Sequence, residues 1–492
     1  MSTTISLHLG QANQKISKHI YGHFAEHLGR CVYEGIWVGR NSSIPNINGY
    51  RRDVVEALKA LQIPNLRWPG GCFADDYHWR DGIGPYEKRP RTVNIHWGNY
   101  VEDNSFGTHE FLDLCELLGA DPYIAFNLGS GSPTEMRQWL EYMTFDGDSS
   151  LARERRANGR EKPWKVPFVG IGNENWGCGG DMTPEFYTNL HNQFRVYARD
   201  FGSNKLTRVA CGPNSEDYRW AEVVMQNGRW LQGLSWHYYT IYKNWPDKRG
   251  ALDSDEESWH GLFENAMVLD RILKRGSAIL DAKDPDNNVG IYFDEWGTWH
   301  RTEEGDTALY QQNTIRDALV ASISLDIFNR HSRRVRMANI AQTVNVLQSI
   351  ILTEAGGANR MVLTPTYHVF DMYKPHMDAT YVPVDIECDN YIVGGKVLPG
   401  TSASASRAAD GSVTTTVSNL FASRAQAVKI KVGHMKASSV GGRLLAGGSC
   451  NDHNTFDQPE KLKPVSLEGA RLAEGVISFE LPPRSVAAVT VR

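Results

Sequence analysis

The sequence has 492 residues, 41% hydrophobic and 22% charged, enough for one large domain with a smaller one beside it. Its net charge of -5 supplies no basic field for a polyanion, which sets nucleic acid aside as a partner. No run approaches the ~18 consecutive apolar residues of a membrane span, so a membrane partner is set aside too.

The opening MSTTISLHLG carries neither the basic nor the apolar region of a secretion signal, and a cytoplasmic location is expected. The cysteines Cys31, Cys72, Cys115, Cys178, Cys211, Cys388 and Cys450 are odd in number and scattered, with no C-x-x-C. They are read as reduced thiols, with neither a disulfide framework nor a thiolate zinc site.

TISLHLG alternates at Ile5, Leu7 and Leu9 and is expected to join a sheet formed elsewhere. From about residue 17 to 375, short apolar runs alternate with helical patterns, the rhythm of βα units around a parallel sheet. The runs are ISKHIYGHF, IPNLRWPG, DPYIAFN, VPFVGIGN, RVACGPN, GLSWHYY, VGIYFDE and RVRMANIAQ. Eight strands predict a closed (β/α)8 barrel. Among the helices, Phe111, Leu114, Cys115 and Leu118 form one stripe ended by Gly119. Thr183 is the expected N-cap of a helix opening at Pro184. A long helix is expected from Ala308 to Asn329, with Ile315, Leu319, Ile323 and Ile327 on one face.

After about residue 376 the pattern becomes β-branched alternation: SVTTTVSNL, AVKIKV, GVISFEL, SVAAVTVR. Val428, Ile430 and Val432 on one face against Lys429 and Lys431 on the other predict an antiparallel β-sandwich of jelly-roll type. TSASASRAADG is read as a mobile loop within it. The expected domains are a catalytic barrel over 17–375 and a sandwich built from 1–16 plus 376–492.

In such a barrel the chemistry gathers where strands end at the C-terminal face. The expected endings are Glu26 and His27, Arg67, Asn127, Asn173 and Glu174, Asn214, His237 and Tyr239, Asp294 and Glu295, and Asn339 and Gln342. Polar residues end most strands, but this set offers the fixed donors and acceptors that a polyhydroxylated ligand requires. VGIGNENWG and YFDEWGTWH each place a glutamate after a buried strand and ahead of an aromatic loop. Taken singly, Glu174 suits a helix N-terminus and Glu295 an ion pair with Arg67. Together they are the paired carboxylates of glycoside hydrolysis, and on strands four and seven they would face each other across the barrel mouth. The loop tryptophans are either sugar platforms or ordinary packing.

His23, Glu26 and His27 also spell H-x-x-E-H, the inverted zinc-peptidase pattern. That chemistry needs both histidines one turn apart on a helix, with a further carboxylate ligand. Here ISKHI and Gly22 read as a strand entering a loop. Glu26 is therefore read as an acceptor for a ligand hydroxyl, with no metal and no cofactor, and the two histidines as packing or supporting groups.

The motifs YGHFAEHLGRCVYEGIWVG, LRWPGGCFADDYHWRDGIGP, VGIGNENWGCGG, SWHYY, YFDEWGTW and MANIAQTVN, in that order and closed by LPPRSVAAVTV, resemble glycoside hydrolase family 51, the α-L-arabinofuranosidases, over essentially the whole chain. The resemblance implies Glu174 as general acid/base and Glu295 as nucleophile. Glu26, Asn173 and Gln342 would hydrogen-bond furanose hydroxyls, Tyr239 would lie against the nucleophile, and Arg67 would hold the strand-end carboxylates. Cys72 stands where some members have Asn, and its backbone remains a sugar contact. The implied protein is an exo-acting, retaining, homohexameric enzyme acting on arabinan or arabinoxylan fragments. The rival readings are an endo-β-1,4-glucanase or xylanase on the same scaffold, and a silent carbohydrate-binding protein. The second is disfavoured by two neighbouring acids that repel.

Overall fold

The computed structural model describes residues 2–302, 308–433, 435 and 438–492. The eight barrel strands are Gly22–Phe24, Asn65–Trp68, Asp121–Phe126, Phe168–Ile171, Thr207–Ala210, Gly233–Thr240, Gly290–Thr298 and Val335–Ala341. They close in chain order, and the eighth pairs parallel with the first at Ala341 and Phe24. The first strand is shorter than ISKHIYGHF suggests, because Lys18–Tyr21 forms a 3-10 turn whose first amides are capped by Ser17. Tyr123, Val209, Tyr292 and Met337 pack together with Phe168. They come from strands three, five, seven and eight, so they meet through the lumen. That layer plugs the barrel below the carboxyl ends of the strands.

Helix Thr108–Leu118 ends at Gly119, whose φ of +70° suits glycine, and Pro184–Tyr197 starts from Thr183, whose hydroxyl accepts from the Phe186 amide at 3.3 Å. The long helix starts at Ile315, seven residues later than the periodicity suggests. Ala308 and Leu309 have positive φ, which no helix tolerates, and Thr314 with Asp317 forms the capping box that sets the true start.

The sandwich has two sheets. One runs Gln14–Lys15, Thr380–Val382, Thr401–Arg407, Val413–Asn419, Ser485–Val491, Val440–Ala446, Val465–Ser466; the other runs Val384–Glu387, Ser2–Leu7, Gln426–Lys431, Val476–Leu481, Arg471–Ala473. Ile5, Val417, Ile430, Ile477 and Val489 fill the space between them. The Ser2–Leu7 strand is antiparallel to Val384–Glu387 and parallel to Gln426–Lys431. A parallel neighbour is possible because this strand reaches its place from far along the chain, with no hairpin to fix its direction.

TSASASR is a strand, not a loop: Thr401–Arg407 pairs residue for residue with Val413–Asn419, and only the segment after Arg407 turns. Helix Ile315–Arg330 lies against this sheet and is buried almost throughout. Small residues let it approach, and their hydroxyls bond it. Ser402 donates to Asp326 at 2.7 Å, Thr416 and Tyr373 donate to the same carboxylate at 3.0 Å, and Ser322 and Ser418 meet at 2.8 Å. Among the described residues no helix is long and apolar enough to cross a membrane.

Candidate active site

Strand four is followed by Gly172, with φ +93°, then Asn173, then Glu174 with φ +42°. A left-handed glutamate costs ~1–3 kcal/mol and persists only where its surroundings fix it. Glu295 comes from strand seven, where the pairing with strand eight shifts register between Phe293 and Trp296. The irregularity lets two consecutive carboxylates, Asp294 and Glu295, both meet Arg67. Arg67 Nη1 donates to Glu295 Oε1 at 2.8 Å, its Nε lies 3.7 Å from Asp294 Oδ2, and Nη2 donates to Asn173 Oδ1. Tyr239 Oη donates to the other oxygen of Glu295 at 2.9 Å.

Between the two glutamates stands His237. Its Nδ1 is 2.8 Å from Glu174 Oε1 and 3.6 Å from Glu295 Oε2, and its Nε2 is 3.1 Å from Asp294 Oδ1. Asp294 in turn accepts from Tyr123 Oη at 2.7 Å. One carboxylate oxygen from each glutamate and a ring nitrogen of His237 lie within 4.8 Å of one another. Burial opposes charge on His237, but Glu295, Asp294 and Glu174 outweigh it and raise its pKa to about 10. The ring is therefore an imidazolium that donates from both nitrogens. Burial, then the charge of Glu295, pushes the Glu174 carboxyl above its ordinary value, against the pull of His237 and Arg67. Asp294 goes the other way, because Arg67, His237 and Tyr123 overcome its burial.

Glu26 follows the first strand. Its Oε1 accepts from the Phe73 amide and from Trp97 Nε1, both at 3.1 Å, and its Oε2 accepts from Gln342 Nε2 at 2.8 Å. Burial, then the charge of Glu295, raises its pKa to about 7. Gly70 and Gly71 make this packing possible. A Cβ at Gly70 would lie 2.9 Å from Glu26 Cγ, and one at Gly71 would lie 2.8 Å from Glu295 Oε1. Three buried atoms in this ring have no hydrogen-bond partner among the described residues: Arg67 Nε, the Asn173 Nδ2 donor and the Gln342 Oε1 acceptor. Buried polar groups are nearly always paired, so an unpaired donor and acceptor beside three carboxylates suit a ligand that carries hydroxyls.

The structure thus gathers Glu174, Glu295, Glu26, Arg67, Asn173, Tyr239 and Gln342. Cys72 reaches the same place in another form: it is disulfide-bonded to Cys178. The reduced-thiol reading is corrected for this pair, and the other five cysteines are free. Residues 106 apart in sequence meet because the loops after strands two and four converge at the barrel mouth. Three strand-end amides do other work. Asn127 ties its own loop through Ser130 and Gly131, Asn339 donates to the His23 carbonyl, and Asn214 bridges to His237 through the backbone.

His23 lies on the first barrel strand, not a helix, and packs on Phe370 with ring centroids 5.0 Å apart. Burial drops its pKa to about 3. His27 Nδ1 is 3.2 Å from Glu102, and its Nε2 accepts from Trp68. H-x-x-E-H therefore lacks the helical spacing a zinc peptidase needs. The loop tryptophans divide. Trp296 is buried against Phe328 and Phe370, and Trp176 donates to the Gly212 carbonyl. Trp299 sits edge-on to Tyr239 and to the half-exposed Trp245, forming an aromatic wall beside Glu295. In the sequence His237 and Asp294 stand out only as strand endings, and nothing there marks Tyr123 or Trp97. The D-E pair before a tryptophan and the H-Y-Y run were the available signals.

The model of an α-L-arabinofuranosidase C-terminal domain matches residues 294–485, and that of an α-L-arabinofuranosidase 1 domain matches residues 57–254. The intracellular exo-α-L-arabinofuranosidase of Bacteroides ovatus is 48% identical over 99% of this chain and 95% of its own. The chain belongs to glycoside hydrolase family 51. As expected of a family 51 protein, it superposes on the crystal structure of the GH51 arabinofuranosidase from Xanthomonas axonopodis pv. citri with a TM-score of 0.98, at 46% identity and full coverage of both chains. The arabinose complex of the Thermotoga maritima α-L-arabinofuranosidase follows with a TM-score of 0.85 at 30% identity, again over both whole chains. None of these relatives favours the endo-glucanase, xylanase or peptidase reading of this family 51 chain.

Proposed function

We propose that the protein is an exo-acting, retaining α-L-arabinofuranosidase that releases terminal non-reducing arabinofuranosyl residues from arabinan, arabinoxylan and their oligosaccharides. The observation that carries this reading is the pair Glu174 and Glu295, with carboxylate oxygens within 4.8 Å. A separation of ~5–5.5 Å between carboxyl groups serves double displacement, and ~6.5–9.5 Å is needed to seat a water for inversion. Exo action is supported by the name of the Bacteroides ovatus relative.

In the first step Glu295 attacks the anomeric carbon while Glu174 gives its proton to the leaving oxygen. Arg67 and Tyr239 hold both Glu295 oxygens in place for attack. Burial and the Glu295 charge raise the Glu174 carboxyl above its ordinary value, the direction a proton donor needs. Once the glycosyl ester forms, that charge is gone and Glu174 can take a proton from water. Glu26, Asn173 and Gln342 bind the furanose hydroxyls, and the backbone at Cys72 is a further contact. The barrel, 17–375, is the catalytic domain, and 1–16 with 376–492 the sandwich. A cytoplasmic location is supported by the word intracellular in the relative's name. A homohexamer rests on the family resemblance and is read from the solution mass by light scattering.

The test is a pair of substitutions. Glu295→Ala should abolish turnover of an aryl arabinofuranoside, and Glu174→Ala should lose far more activity on poor leaving groups than on good ones. Equal loss on both removes Glu174 as the acid. NMR of fresh product showing the opposite anomer removes the retaining mechanism.

A further inference from the structure

Two sulfur atoms press on the carboxylate of Glu174. Cys72 follows the Gly70–Gly71 turn, Cys178 lies in the loop that carries Glu174, and their Sγ atoms are 3.9 and 3.5 Å from Glu174 Oε2. A disulfide sulfur carries no proton, so neither contact is a hydrogen bond and the pair gives the carboxyl an apolar wall. Reduced, the same sulfurs become S–H groups within donor reach of the same oxygen. Both cysteines are half-buried, and the Glu174 side chain is 17% exposed. A small dithiol can therefore approach the bond from the pocket.

We propose that Cys72 and Cys178 form a thiol–disulfide switch on the general acid, with a small dithiol as reductant and a small-molecule disulfide as oxidant. The inference rests on the reading of Glu174 as that acid. In reduction a dithiol thiolate attacks one sulfur, and its second sulfur then displaces the mixed disulfide. Two electrons pass to the protein, both cysteines end as thiols, and the dithiol leaves as its cyclic disulfide. Cytosolic disulfides are typically transient or redox-sensing, which fits a bond set against a reacting group.

The effect follows from hydrogen bonding. Donors aimed at a carboxylate favour its charged form, so reduction makes Glu174 give up its proton more readily. The charged and titratable groups facing Glu174 are His237, Glu295, Arg67, Tyr239 and the buried free thiol of Cys211. None of them changes with the redox state, which leaves the two sulfurs as the variable. Since kcat/KM requires protonated Glu174, its alkaline limb moves to lower pH on reduction.

The experiment compares pH profiles of kcat/KM for the oxidised and dithiothreitol-reduced enzyme on an aryl arabinofuranoside with a poor leaving group. Alkylation under denaturing conditions, read by mass, checks the state: five modified cysteines when oxidised, seven when reduced. Reduction should lower kcat/KM about threefold along the alkaline limb, and glutathione disulfide should restore it. A C72S/C178S pair, whose hydroxyls donate as thiols do, should show the reduced limb and ignore dithiothreitol. A C72A/C178A pair, which neither donates nor cross-links, should have its limb where the oxidised enzyme has it. A limb unmoved by reduction, or a double-alanine limb that follows the reduced enzyme, overturns the switch. Glu174→Ala on good and poor leaving groups is run alongside: equal losses there overturn the acid reading, whereas selective loss with an unmoved limb overturns the switch alone.

Discussion

His237 is the residue whose chemistry is most entangled with its neighbours. It donates to Glu174 and Asp294 at once, and its positive charge is the main influence favouring ionised Glu174. Replacing it with Asn removes that charge, so the alkaline limb of kcat/KM should move to higher pH. Turnover should fall by about 100-fold as Glu174 loses its orienting partner. A limb moving to lower pH would falsify this account of His237. The two glutamates were legible in the sequence because each stands at the carboxyl end of a buried apolar run, where a barrel presents its chemistry. Asp294 was named as a strand ending, but its sharing of Arg67 was not legible, because alternation along a regular strand sends neighbours to opposite faces and only the register shift beside Phe293 brings Asp294 and Glu295 to one arginine. The Cys72–Cys178 bond was hidden for a different reason: spacing carries no information about cysteines that meet only through tertiary structure.

At the scale of elements, the Gly70–Gly71 turn decides how closely the second strand's loop can approach the carboxylates. Gly71→Ala puts a methyl 2.8 Å from Glu295 Oε1. Displacing a reacting group by about 1 Å can cost 100-fold in rate. We expect kcat to fall at least tenfold for G71A while the melting temperature stays within a few degrees, measured by calorimetry beside steady-state kinetics. Equal activity would show that the turn shifts without moving Glu295. The eight barrel strands were readable because strands buried on both faces need continuous apolar runs. Thr401–Arg407 misled because serine and alanine look like loop composition. Their small size serves a helix seated on the sheet, a need that only packing reveals.

For the whole molecule, the joint between barrel and sandwich is a polar network centred on Asp326. Burial raises its carboxyl from 3.8 to about 7, against donation from Ser402, Tyr373 and Thr416. A raised carboxyl makes the folded state bind the extra proton, so this group's contribution is fully present below pH ~4 and is lost as pH rises through about 7. Asp326→Asn keeps the shape without the charge. Its melting temperature should therefore gain on wild type between pH 5 and pH 8, and a constant difference across that range would count against the network as described. The same architecture sets an order of assembly. The Ser2–Leu7 strand leaves the ribosome 377 residues ahead of Val384, the start of the first strand that flanks it. At ~5–20 residues per second it waits on the order of 20 to 75 s, with Ile5 and Leu7 uncovered. The barrel can close in that interval, but the strand cannot dock. Isolating the barrel therefore takes two cuts, one after Lys15 and one before Thr380, because a single cut leaves orphan strands free to pair with another molecule.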